Sequence, residues 1–155
     1  MSTPLSANTG LDLVRATEAA ALAAGRWMGL NQPEQADHFA DLAMRRVLDG
    51  IDMDGRIVIG EEYKLQQAGT LVSGCHVGNG NGPAVDVVAD AVDGRKLVAQ
   101  GSPGALAVAA VAPRGAIWTP PPEAIYMDKI VASADVGAAL VPECMDAPAA
   151  WTLAL

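Results

Sequence analysis

The hydrophobic texture of the chain changes at Gly50, and that change limits what it can build. Before it, residues 10–30 (GLDLVRATEAAALAAGRWMGL) are rich in Ala and Leu and free of Pro, which favours a helix. Asn8 or Thr9 can cap its start. A second helix begins at NQPEQAD, with Pro33 suited to the first helical position and Glu34 to the positive end of the dipole. Ala36, Ala40, Ala43 and Val47 fall on one face at helical spacing, and Gly50 supplies the stop. After Gly50 come short apolar or β-branched runs: RIVIG (56–60), TLVSGCHV (70–77), AVDVVAD (84–90), KLVAQ (96–100), ALAVAAVAP (105–113), GAIWT (115–119) and YMDKIVAS (126–133). Gly, Pro and Asn separate them, as they separate strands. Two helices followed by six or seven strands predict one α+β domain over 1–155, a layered sandwich with both helices on one face of a mixed, largely antiparallel sheet.

Composition narrows the core and the partners. The 155 residues are 51% hydrophobic but only 4% aromatic, so the core must be built from Ala, Val, Leu and Ile. A net charge of −8 argues against nucleic acid or an anionic membrane, since both need clustered Lys and Arg. Cys75 and Cys144 are too few for a disulfide framework or a zinc site. No run reaches the length of a membrane span, and MSTPLSANTG lacks the basic and apolar regions of a secretion signal. The expected setting is cytoplasmic, with a small-molecule ligand.

The acids offer the first candidate chemistry. Asp90 ends a strand, Asp93 follows three residues later in a turn, and Glu61 and Glu62 follow another strand. Carboxylates at neighbouring strand ends suit Mg²⁺ or Mn²⁺, but Asp-Gly between two β runs is the strongest short hairpin signal, and spacing alone favours a simple hairpin. The loop GNGNGP (78–83) could offer backbone N–H groups to an anion, but it lacks the Lys-Ser/Thr ending of a P-loop and reads more simply as a flexible connection. His38 and His76 have no partner at metal spacing. Tyr126 and Asp128 alternate onto one strand face beside Lys129.

Taken in order, LVRATEAAALAAGRWMG, AMRRVL, MDGRIVIGE, VGNGNGPAVDVVADAVDG, GALAVAAVA and PPPEAIYMDKIV resemble the N-terminal half of class II, GlpX-type fructose-1,6-bisphosphatases. The resemblance implies a layered sugar-phosphatase fold and metal-dependent hydrolysis of the 1-phosphate of fructose 1,6-bisphosphate. It places metal ligands, and with them the catalytic centre, on Asp37, Glu61, Asp90 and Asp93. Substrate contacts fall on Gly94, Arg95, Tyr126 and Lys129.

This sequence departs from the family where the chemistry is densest. The family's Asp-Pro-(Ile or Leu)-(Asp or Glu)-Gly-Thr becomes DAVDGRK, with Ala91 in place of Pro and Arg95 in place of the Thr that meets metal and phosphate. Tyr63, Lys64, Leu65 and Gln66 stand where further acids are expected, and LNQPEQ replaces a loop carrying a phosphate-binding Lys. A guanidinium beside Asp90 and Asp93 can fill the charge niche of a metal. The expectation is therefore a truncated, repurposed relative with no cofactor, using the acidic pocket for metal-free acid/base chemistry such as cyclisation, isomerisation or dehydration. The alternatives are a Mg²⁺- or Mn²⁺-dependent sugar-phosphate phosphatase and a non-catalytic binding or regulatory partner. Apolar surface that the family buries against its other half predicts a homodimer or larger homo-oligomer. Light scattering at micromolar concentration should accordingly give a mass above that of one 15.9 kDa chain.

Overall fold

A computed structural model describes residues 8–61 and 69–118. These lie in one compact unit, Met1–Thr119, while Pro120–Leu155 forms a second and lies outside the described residues. Tyr126, Asp128, Lys129, Cys144 and the run at 126–133 are in that second segment.

Two helices lead, as the Ala-rich patterns predict: α1 (Thr9–Gly25) and α2 (Pro33–Leu48). The first ends five residues before the sequence pattern does. Residues 26–30 are turns, and positive φ at Gly29 and Asn31 redirects the chain into α2. Asn8 sits at the N-cap position of α1 but makes no side-chain capping bond. Pro33 does occupy the first turn of α2, where its missing N–H costs nothing.

α1 buries Ala16, Ala20 and Ala24 at steps of four, and α2 meets them with Ala36 and Ala40. Short side chains on both contact stripes let the two helices pack closely. The buried face of α2 is the predicted one only at Ala36 and Ala40. It runs Ala36, Asp37, Ala40, Asp41, Met44, Leu48, while Ala43 and Val47 are only partly covered. Two carboxylates in the buried stripe hide it from any hydrophobicity pattern.

The sheet has four strands among the described residues: β1 (Asp54–Ile59), β2 (His76–Val77), β3 (Ala84–Asp93) and β4 (Leu106–Pro113), in the order β2-β1-β3-β4. β1 pairs antiparallel with β2 and parallel with β3, and β3 pairs antiparallel with β4. The mixed α+β arrangement agrees with the sequence reading. Ile57, Val85, Val87, Ala89 and Ala91 are buried together with Met44, Leu48 and Met53. Each large aliphatic side chain so buried contributes about 1.5–3 kcal/mol relative to exposure.

Three strand assignments fail. KLVAQ lies in a short helix, α3 (Arg95–Gln100), because Gly94 takes φ 94° and turns the chain sharply at the end of β3. The Asp-Gly pair therefore makes a strand-to-helix corner and not a hairpin. Of TLVSGCHV only His76–Val77 is extended, and Ala116–Trp118 carries no strand.

The glycine loop is pinned, not flexible. The N–H groups of Asn79 and Gly80 donate to Ile51 O and Met53 O, both at 3.0 Å, and Asn79 Nδ2 donates to Asp52 Oδ1. Those two amides are thereby spent on the α2–β1 connection and are not available to an anion. Gly78 has φ 92°, and a Cβ there would collide with the backbone of Met53. A positive φ and an overpacked contact each cost roughly 1–2 kcal/mol. Gly78→Ala should lower unfolding free energy by about 3 kcal/mol, seen in urea as a lower midpoint with an unchanged slope.

Candidate functional site

Ligands of open α/β sheets bind beyond the carboxyl ends of parallel strands. Here those ends belong to β1 and β3, and both are irregular. The β1–β3 register slips between Ile57 and Ile59, leaving Val58 extra. The β3–β4 register slips between Asp90 and Asp93. Bulges of this kind re-aim side chains and release backbone groups from the ladder, often next to functional sites.

The second bulge releases the Ala91 N–H, which donates to Glu61 Oε1 at 2.6 Å. Glu61 follows β1 and is buried. Its own N–H donates to Leu71 O at 2.9 Å, and the preceding Gly60 has no room for a Cβ against that carbonyl. The carboxylate of Glu61 is therefore anchored at both ends of its residue, one residue from Asp90 on the neighbouring strand.

Asp37 arrives from the opposite layer, in the second turn of α2. Its carboxylate is fully buried, and Arg95 Nη1 donates to Oδ2 at 3.0 Å. Arg95 is 28% exposed, so the guanidinium bridges from a buried acid to solvent. The geometry that aims it is local: Gly94 in the left-handed region ends β3, and Leu97 N–H and Val98 N–H both donate back to Gly94 O. A β-branched or bulky residue at 94 could not make that corner.

Of the acids proposed from sequence, the structure brings Asp37 to Arg95 and Glu61 to the Ala91 amide. Asp90 is half-buried on β3 and Asp93 is exposed at its end. Glu62 lies outside the described residues. His76 is exposed, with Nδ1 3.8 Å from Asp54 Oδ1, and is remote in role from the acids above.

Sequence reasoning missed two further buried carboxylates. Asp41 lies one helical turn after Asp37 and accepts from Thr70 N–H (2.9 Å), Thr70 Oγ1 (2.7 Å) and Leu71 N–H (3.0 Å). Asp86 on β3 accepts from Gly115 N–H at 2.7 Å and lies 3.5 Å from Arg114 Nε. The i, i+4 spacing of Asp37 and Asp41 was the available signal for the first. Asp86 sits inside an apolar run and gave none.

A mixed sheet backed by two helices, with acids and a cation near the carboxyl ends of its parallel strands, defines an α+β protein with a polar corner. The chain belongs to the bacterial, glpX-encoded fructose-1,6-bisphosphatase family, whose sequence profile matches residues 7–155. It is 40% identical over 121 residues to fructose-1,6-bisphosphatase 1 class 2 of Escherichia coli K12, and equally to fructose-1,6-bisphosphatase class 2 of E. coli O6:H1 and of Shigella flexneri. Those matches cover 78% of this chain and 35% of each relative, so the chain spans about a third of their length.

The family implies a divalent metal. Among the described residues no group of three or more His, Cys, Asp or Glu side chains is gathered as a metal would require. Asp37 Oδ2 accepts from a guanidinium and Glu61 Oε1 from a backbone N–H, and each carboxylate keeps a second buried oxygen, Asp37 Oδ1 and Glu61 Oε2. No helix among the described residues is long and apolar enough to cross a membrane.

Breaking a buried ion pair from one side leaves an uncompensated charge, which costs more than replacing both partners. Arg95→Met should destabilise by about 2 kcal/mol, reduced from the buried-pair range by the exposure of Arg95. Adding Asp37→Leu should recover more than about 1 kcal/mol of that loss in a urea double-mutant cycle.

Proposed function

We propose that this chain is a class II fructose-1,6-bisphosphatase-like protein whose pocket holds a small phosphorylated or other anionic metabolite through Arg95 and works without a metal. The observation that carries the reading is the 3.0 Å bond from Arg95 Nη1 to the buried Asp37. A fixed cation at this corner supplies positive charge where the family's chemistry calls on a metal ion. The carboxylate of Asp37 holds the guanidinium at Nη1, and its solvent-facing part is where a phosphate or carboxylate would be met.

With an anion held on Arg95, a nearby carboxylate can take or give a proton at the bound molecule. Asp93 is exposed at the end of β3, two residues before Arg95, and is the proposed acid/base group; Asp90 and Glu61 set the polarity behind it. Cyclisation, isomerisation or dehydration is the chemistry proposed for this pair, Arg95 and Asp93.

A second reading has support of its own. Acids stand at all four positions 37, 61, 90 and 93, and the relatives named above are called bisphosphatases. A Mg²⁺- or Mn²⁺-dependent sugar-phosphate phosphatase would require Arg95 to leave Asp37 when metal binds. Phosphate release from fructose 1,6-bisphosphate and a panel of sugar monophosphates, with Mn²⁺ present, separates the two. The expected result is no metal-dependent release by the native chain. Calorimetry should show Mn²⁺ binding at least about tenfold tighter in Arg95→Thr, a change of about 1.4 kcal/mol. Metal-dependent turnover by the native chain would replace the first reading with the second.

A further inference from the structure

We infer that Asp41 is a positioning residue for this site: by gripping Thr70 and Leu71 it fixes Glu61 at the end of β1. The inference rests on the reading of Glu61 as a site residue, and it concerns where that carboxylate is held, not what it binds.

Asp41 is an unlikely residue to find on the buried face of α2 for reasons of packing. A carboxylate removed from water costs far more than the Leu or Met that its neighbours Met44 and Leu48 supply. The cost is met only by the groups it holds, and all three belong to one two-residue stretch. Oδ2 takes the N–H and the hydroxyl of Thr70, and Oδ1 takes the N–H of Leu71. One turn later Arg45 closes on the same stretch, with Nη1 donating to Thr70 O at 3.0 Å and Nη2 to His76 O at 2.7 Å. Asp49 in turn holds Arg45 Nε at 2.9 Å.

Leu71, so gripped, is itself fully buried and accepts the Glu61 N–H on its carbonyl. Glu61 then meets the Ala91 N–H at the β3 bulge. A continuous line of hydrogen bonds thus runs from α2 through residues 70–71 to Glu61 and on to β3. Asp37 and Asp41 leave the same helix face one turn apart, about 6 Å along the axis. One sends its carboxylate to Arg95, and the other reaches Glu61 through the 70–71 stretch. The helix therefore sets the separation between the two anchored acids of the site.

The test uses the full ¹⁵N-labelled chain with Asp41→Asn, Thr70→Val and Thr70→Ser. Asn at 41 turns an NH₂ toward an N–H donor, and Val at 70 deletes only the hydroxyl. In both variants the Ala91 amide proton should move upfield as its bond to Glu61 lengthens, and the Glu61 amide should exchange about tenfold faster, the effect of one lost hydrogen bond. Amides of α1 at Ala16 and Ala20 should hold their native protection, and Thr70→Ser should return both signals to native values. Unchanged Ala91 and Glu61 signals in both variants would overturn the inference. So would equal loss of protection at Ala16, Ala20 and Glu61, because the grip would then serve overall stability and not placement. Inorganic phosphate binding by the native chain is measured in parallel. Its absence would count against the anion-binding reading of Arg95 while leaving the placement result to stand or fall on the amide signals.

Discussion

The site is arranged around one constraint: a carboxylate buried on a helix face must find a donor or lose its charge. Asp37 meets that constraint with Arg95, from a helix 58 residues along the chain. To deliver the guanidinium, β3 has to end at a residue that tolerates positive φ, and the next element has to begin at once. Gly94 and the short helix after it satisfy both demands. The local corner at Gly94 and the buried charge of Asp37 thus meet in one contact, the Arg95 guanidinium.

The same logic repeats along α2. Asp41 is buried for the sake of Thr70 and Leu71, much as Asp86 on β3 is buried for the backbone of Gly115. In each case a strand or helix of regular geometry lends a carboxylate to an irregular segment that cannot satisfy its own N–H groups. Among the described residues, these connecting segments are therefore not loose. The glycine-rich stretch at 78–82 is held by the carbonyls of Ile51 and Met53; Gly78 and Gly82 are needed for close approach, and Gly78 and Gly80 for positive φ.

How much of this was legible beforehand depended on where the signal resided. α1, α2 and the strands β1, β3 and β4 follow from local texture, since Ala-rich and β-branched runs declare themselves without tertiary help. KLVAQ misled because a five-residue run with Leu and Val at its centre suits either state, and only the corner at Gly94 settles which one forms. The buried stripe of α2 was displaced by one position because hydrophobic patterns are blind to a carboxylate that is buried and bonded. For the site, the choice of Asp37, Glu61 and Arg95 came from motif order alongside a family, and the pairing of Asp37 with Arg95 lay beyond it. The sequence reading set Arg95 beside Asp90 and Asp93, its neighbours in the chain, because spacing along a strand says nothing about which helix lies above it.

The paired bulges carry a consequence for how such a corner can change over generations. A strand in perfect register offers its neighbours a repeating, two-sided surface, and any single insertion inverts everything beyond it. Here one surplus residue sits in each of two adjacent strands, both near the same end, so the inversion has already been absorbed. Lengthening or shortening the chain at Val58 or at Ala91–Val92 would re-aim only the few residues between the bulge and the corner and leave the sandwiched layer beneath untouched. The pocket end of the sheet is in that sense a detachable edit, and the fold can survive its revision.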